Sequence, residues 1–166
     1  KDAVIKPAKL KTLVNNTLSK LKKNRISDGA ATKKDILKLV NKMQKSMSAI
    51  KKLEKKNSLQ MKKRFQRYKK ELDIKGKDLN MTEIFATLGK SDINEEVVRF
   101  DSHLGLVANL IKSKNNIGKK LDFYTQEMLR EANTMSSKAL ISEIKNEAVD
   151  IKSSIERMKE HAQNIE

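Results

Sequence analysis

The chain has 166 residues, with 37 Lys and Arg against 21 Asp and Glu, and its net charge of +16 favours polyanionic partners, nucleic acid before acidic membrane. With 5 Gly and 1 Pro it lacks the punctuation of an all-β fold, and with no Cys it can form no disulfide, thiolate zinc site or cysteine nucleophile. No apolar run approaches the ~20 residues that span a bilayer, so the expected class is all-α, built from long antiparallel helical hairpins with coiled-coil packing.

The charge is uneven. Residues 1–77 carry 25 Lys and Arg against 6 Asp and Glu, a net +19, whereas residues 78–166 carry 12 against 15, a net −3. The chain therefore divides into a basic helical segment, 1–77, and a C-terminal helical domain, 78–166. The opening, Lys1 to Lys6, has no apolar core of a signal peptide and no initiator Met, so a cleaved or partial chain is expected. The absence of Cys is compatible with the cytoplasm.

Residues 8–24 read as a first amphipathic helix, with Leu10, Leu13, Val14, Leu18 and Leu21 on one side. Ser27-Asp28-Gly29 is expected to break it, and Thr32 to cap a long second helix over about 33–74. In that helix Ile36, Val40, Met43, Met47 and Ile50 alternate spacings of four and three, the seam of a coiled coil. The seam meets Glu54 and Asn57, then resumes at Met61, Phe65, Tyr68 and Leu72. A linker containing Gly76 is expected over 73–80, and a short helix over 81–89 with Ile84, Phe85 and Leu88. Ser91 or Asp92 would then cap a helix of about 92–113, whose seam is Ile93, Val97, Phe100, Leu104, Val107 and Ile111. Asn115-Asn116-Ile117-Gly118 reads as a turn. A helix of about 119–137 follows, with Leu121, Met128, Ala132 and Met135 inward, and then one of about 140–166 with the cleanest seam, from Ile141 to Ile165. Short turns make such neighbours antiparallel.

Polar rows flank these seams. Glu96, Arg99 and His103 lie at i, i+3 and i+7, one residue behind the apolar face. On the following helix Lys120, Glu127, Glu131, Thr134 and Lys138 form a second row. Asp122, Gln126, Arg130, Asn133 and Ser137 form a third. If the helices turn back on each other, the rows converge. Carboxylates and one His ringed by cations suit metal-assisted phosphodiester hydrolysis. His103 could equally act without metal as acid or base on a ribose 2′-OH. The bland alternatives are ordinary i, i+4 pairing for the carboxylates and a structural role for His103. The lysine runs at 51–56 and 62–70 are solvated helix faces or phosphate contacts. His161, near a helix C-terminus, suits the helix dipole and needs no other function.

The same residues carry a resemblance. Lys119-Lys120-Leu121-Asp122-Phe123, Gln126-Glu127-Met128, Arg130-Glu131-Ala132-Asn133-Thr134 and Ser136-Ser137-Lys138 resemble the YicC-like endoribonuclease signature, approximately K-K-L-D-F-L-x-Q-E-x-x-R-E-x-N-T-x-x-S-K. Upstream, Asp92-Ile93-Asn94-Glu95-Glu96, Arg99 and Ser102-His103-Leu104 resemble that family's D-I-x-E-E-x-x-R-x-x-S-H motif. The ending Gln163-Asn164-Ile165-Glu166 is similar to its C-terminus. The likeness covers about 91–166 well and 8–90 only in outline; Tyr124-Thr125 stands where a Leu pair is usual.

The resemblance implies a cytoplasmic endoribonuclease that cuts single-stranded RNA with Mn²⁺ or Mg²⁺ and works as a homo-oligomer, a hexamer. It implies Glu96, His103, Glu127 and Glu131 as catalytic residues. His103, Glu127, Glu131 and Asp122 would be the metal ligands. Arg99, Lys120, Arg130 and Lys138 would hold phosphates, with Gln126, Asn133 and Thr134 orienting them. The family's N-terminal portion, opening around M-T-G-F-G, has no counterpart, so weak or no cleavage by these residues alone is expected. A non-catalytic RNA-binding module and a coiled-coil adaptor are the alternatives. The first predicts salt-sensitive binding without a product, the second oligomerisation without RNA affinity.

Overall fold

The computed structural model describes residues 7–74, 92–113 and 116–165. Among the described residues there are four helices and no strand: α1 (Pro7–Ile74), α2 (Asn94–Leu110), α3 (Gly118–Lys138) and α4 (Ser142–Gln163). The chain is all-α. The expected helix over 81–89, most of the expected linker and the Ser91 cap lie outside the described residues. The chain divides into two compact units, one ending at Ile36 and the other beginning at Leu37.

The first unit corrects the sequence expectation. No break occurs at Ser27-Asp28-Gly29, and Thr32 is an interior helical residue instead of a cap; α1 runs on without interruption. An exposed helical Gly costs only about 1 kcal/mol relative to Ala. That is too little to end a helix in which Ala30, Ala31, Lys33 and Lys34, all good helix formers, follow the glycine. Nothing lies within 4 Å of the place a Gly29 side chain would occupy. Leu10, Leu13, Val14, Leu18 and Leu21 are all exposed. Thr12 and Thr17 donate their hydroxyls to the carbonyls of Ala8 and Leu13, one turn back.

The second unit holds the core. On α1, Leu39, Val40, Met43, Met47 and Ile50 are buried, so the four-three spacing marks a covered face. All six seam positions from Ile93 to Ile111 are buried as well, as are Leu121, Met128, Ala132 and Met135, and the row from Ile141 to Ala162. Each such Ile, Leu or Met contributes about 1.5–3 kcal/mol on burial. The apolar faces thus dominate the assembly of these helices.

Past Ile50 the expected seam fades. Met61 and Phe65 are half-buried and Tyr68 is exposed. The polar interruption at Asn57 has a specific use. Asn57 is only 2% exposed, and its Oδ1 accepts a hydrogen bond from the Leu140 backbone N–H at 2.9 Å, in the turn between α3 and α4.

Ion pairs record the directions of the helices. Lys42 meets Asp150 and Lys56 meets Glu143, each at 3.3 Å, so α1 and α4 are antiparallel. Lys51 reaches Asp101 of α2 at 3.0 Å. All three pairs are about half exposed and stabilise little individually. At the start of α2 the expected Asp92 signal takes the form of a side-chain turn, with Oδ1 accepting the Asn94 N–H at 3.0 Å.

Candidate functional site

The site lies where α2 and α3 run side by side. Both helices place apolar residues inward at helical spacing, which leaves the polar residues one step round each helix on the flank facing the neighbour. The pairing order is reversed along the two chains. Glu96 meets Lys138, Arg99 meets Glu131 and His103 meets Tyr124, so the helices are antiparallel and the two polar rows face each other.

Glu96 is buried, at 4% exposure. Its Oε1 accepts from the Lys138 ammonium at 2.8 Å, whereas its Oε2 has no partner. Next along α2, Arg99 pairs with Glu95 one turn back and extends its other guanidinium nitrogen to Glu131 at 3.9 Å. Glu131 is 5% exposed and stands at the centre of the row. Burial pushes its carboxyl above the ordinary value; Arg99 pulls it back, Glu96 pushes it up, His103 pulls it down and Glu127 pushes it up. Four ionisable groups from two helices therefore bear on one carboxylate.

His103 is half-buried, and its Nδ1 is buried with no hydrogen-bond partner. The ring lies 6.0 Å from that of Tyr124, tilted by 42°. Glu127 is half-buried, and among the described residues no ion pair or hydrogen bond engages its carboxylate.

The structure thus gathers Glu96, Arg99, His103, Glu127, Glu131 and Lys138. The third row is placed differently. Asp122 is five residues before Glu127, which is about 140° round the helix, and its Oδ2 accepts from the Gln126 amide at 2.8 Å. Lys120, Gln126, Arg130 and Asn133 are exposed, and the Thr134 hydroxyl donates to the Arg130 carbonyl. Among the described residues, no group of three His, Asp or Glu side chains is arranged to hold a metal ion. The unpartnered atoms are single ones, Glu96 Oε2 and His103 Nδ1.

Tyr124 has no part in the sequence-derived site, yet it lies against His103. The available signal is the Phe123-Tyr124 pair itself, in a chain with only 4 Phe and 2 Tyr. Gly118 reads as a turn residue in the sequence; in the fold it begins α3 at a close approach. A Cβ there would collide with the Ile165 carbonyl oxygen and sit 3.2 Å from that of Ala162.

The whole of this face falls within a family match. A model described as "Endoribonuclease YicC-like, C-terminal" matches residues 44–166. The chain belongs to the YicC-like endoribonuclease family. Among its relatives, a "Probable endoribonuclease YicC" of Clostridioides difficile (strain 630) is 49% identical over 77 residues, 46% of this chain and 26% of the relative. A protein of the same description from Haemophilus influenzae is 41% identical over 75 residues, 45% of this chain and 26% of the relative. The match to this YicC-like chain spans about a quarter of these relatives' length. Among the described residues no helix is long and apolar enough to cross a membrane.

Proposed function

We propose that this protein is a metal-dependent endoribonuclease of single-stranded RNA, with its site on the face shared by α2 and α3. The observation that carries the reading is Glu131, a buried carboxylate on which four ionisable side chains, Arg99, Glu96, His103 and Glu127, converge. Such clustering of titratable groups about a buried carboxylate marks a candidate working site. The relatives' names supply the reaction class and the substrate.

The residues fit a divalent ion of one kind. A cage of three or more protein ligands is absent among the described residues, but Mg²⁺-like ions often take one or two carboxylates and complete their shell with water and phosphate oxygens. Glu127 and Glu131 would hold such an ion. When bound, it would acidify a water and offset charge on the scissile phosphate. His103 moves the proton at the attacking or leaving oxygen. Arg99 offsets charge gathering on the phosphate. Lys138 fixes the Glu96 carboxylate behind it. Lys120 contacts the RNA backbone at the exposed start of α3.

On this reading the protein works in the cytoplasm as a homo-oligomer, a hexamer. The exposed row Leu10, Leu13, Val14, Leu18 and Leu21 supports self-association.

The test uses the full-length protein and end-labelled single-stranded RNA with Mn²⁺ or Mg²⁺ under enzyme excess, so that slow cleavage registers. Glu127→Gln and His103→Ala should each slow cleavage by about 100-fold or more. Wild-type rates in both variants would remove the site assignment. Salt-sensitive binding with no product in either metal would favour the non-catalytic RNA-binding alternative.

A further inference from the structure

Phe123 is an apolar side chain that the fold leaves uncovered. It is 56% exposed, although it lies in the second unit, where the inward faces of α2, α3 and α4 are filled. It does not stand alone. Its ring meets the edge of Tyr124 at 5.5 Å, with 66° between the planes, and Tyr124 in turn faces His103. The three rings form a chain from solvent to the candidate acid–base group. Helical spacing places Lys119 and Lys120 one turn before Phe123 and Glu127 one turn after it. Both lysines are exposed. The outer surface of α3 therefore reads cation, aromatic, carboxylate, with the histidine beside the aromatic.

We infer that Phe123 and Tyr124 form a stacking platform for an unpaired nucleobase, which sets the adjoining sugar-phosphate against His103 and Glu127. The inference rests on the RNA reading above and deepens it. An exposed aromatic face costs free energy in water, and a nucleobase covers it without sequence preference because every base has a π-face. A paired base is stacked within its helix and cannot reach the ring, so the platform selects single strands. Lys119 and Lys120, both one turn before Phe123, meet the backbone phosphates on that side. Tyr124, half-buried between Phe123 and His103, holds the platform at a set distance from the imidazole. Phe123 and Tyr124 are positioning residues.

The chain contains no Trp, so Phe123→Trp introduces a clean optical reporter. Binding is measured in chelator, so that no strand is cut, with a 2′-O-methyl RNA ten-mer and an abasic chain of the same length and charge as the probes. The wild-type chain should bind the base-bearing strand about tenfold more tightly than the abasic one. Phe123→Ala should lose most of that preference while keeping the salt dependence set by the lysines, and Phe123→Leu should behave as Phe123→Ala does. The indole emission of the Phe123→Trp variant should be quenched by the base-bearing strand only. Equal affinity for both strands, or a preference that survives Phe123→Ala, overturns the platform and leaves the RNA reading intact. Failure to bind either strand at low salt overturns both. Sedimentation showing that Phe123→Ala dissociates an oligomer, with base preference unchanged, assigns the ring to a second copy and also overturns the inference.

Discussion

Asn57 of α1 accepts the Leu140 backbone N–H at 2.9 Å, across 83 residues of sequence, and is itself buried. This hydrogen bond pins the α3–α4 turn at one height along α1. An apolar residue at that position would suit the seam and strand the N–H.

Asn57→Leu is therefore expected to destabilise the fold by about 1–3 kcal/mol, the cost of an unsatisfied buried donor, despite its added apolar surface. Urea unfolding measures it. A stabilised Asn57→Leu would mean that the hydrogen bond contributes nothing to register.

Lys138 is the partner that keeps Glu96 satisfied on one oxygen. Removing it leaves a buried carboxylate with neither oxygen paired. Lys138→Met should cost about 2 kcal/mol, less than for a fully buried pair because Lys138 is 26% exposed. Adding Glu96→Gln should return part of that loss. Thermal melts of the two single variants and the double variant decide it; additive losses would show that the two groups are not coupled.

Two carboxylates should give opposite pH signatures. Glu131 has a raised pKa in the fold, so its ionisation is penalised; the stability it contributes is present at low pH and is lost as pH rises through its folded value. In chelator, Glu131→Gln should melt above wild type at about pH 7.5, and the gap should close toward about pH 4. Glu143, at the start of α4, is lowered by its own backbone N–H, by the Ser142 hydroxyl and by Lys56. Its contribution is present above the ordinary 4.5 and disappears as pH falls through the lower folded value. Glu143→Gln should thus melt below wild type at about pH 7.5 and approach it in acid. A gap of either kind that does not vary with pH would detach it from the titration.

Gly118→Ala should destabilise by about 1–3 kcal/mol, because the group in the way is backbone and cannot turn aside. The intrinsic preference of Ala for helix works in the other direction and is smaller. Calorimetry on this variant, with Gly105→Ala as a control in open space, tests the point. Equal behaviour of the two would show that the approach of α3 to the end of α4 is loose.

The helices of the second unit and their inward faces were legible from residue order. Ile93 to Ile111 and Ile141 to Ala162 are buried as their spacing requires, because helical periodicity is a local property and buried apolar area outweighs single polar interruptions. The motifs around His103 and Glu127 were equally legible as strings of residues. Which polar groups meet was settled by packing. Glu96 with Lys138, and Arg99 with Glu131, depend on the antiparallel register of α2 and α3, which no single helix encodes. The roles of Asn57 and Gly118 were hidden for the same reason: each answers to a backbone group far along the chain. Gly29 failed as a signal in the other direction, since a glycine's cost of about 1 kcal/mol breaks a helix only when nothing else sustains it. Local chemistry sets what each segment can become, and contact between distant segments sets which of its groups are left to act.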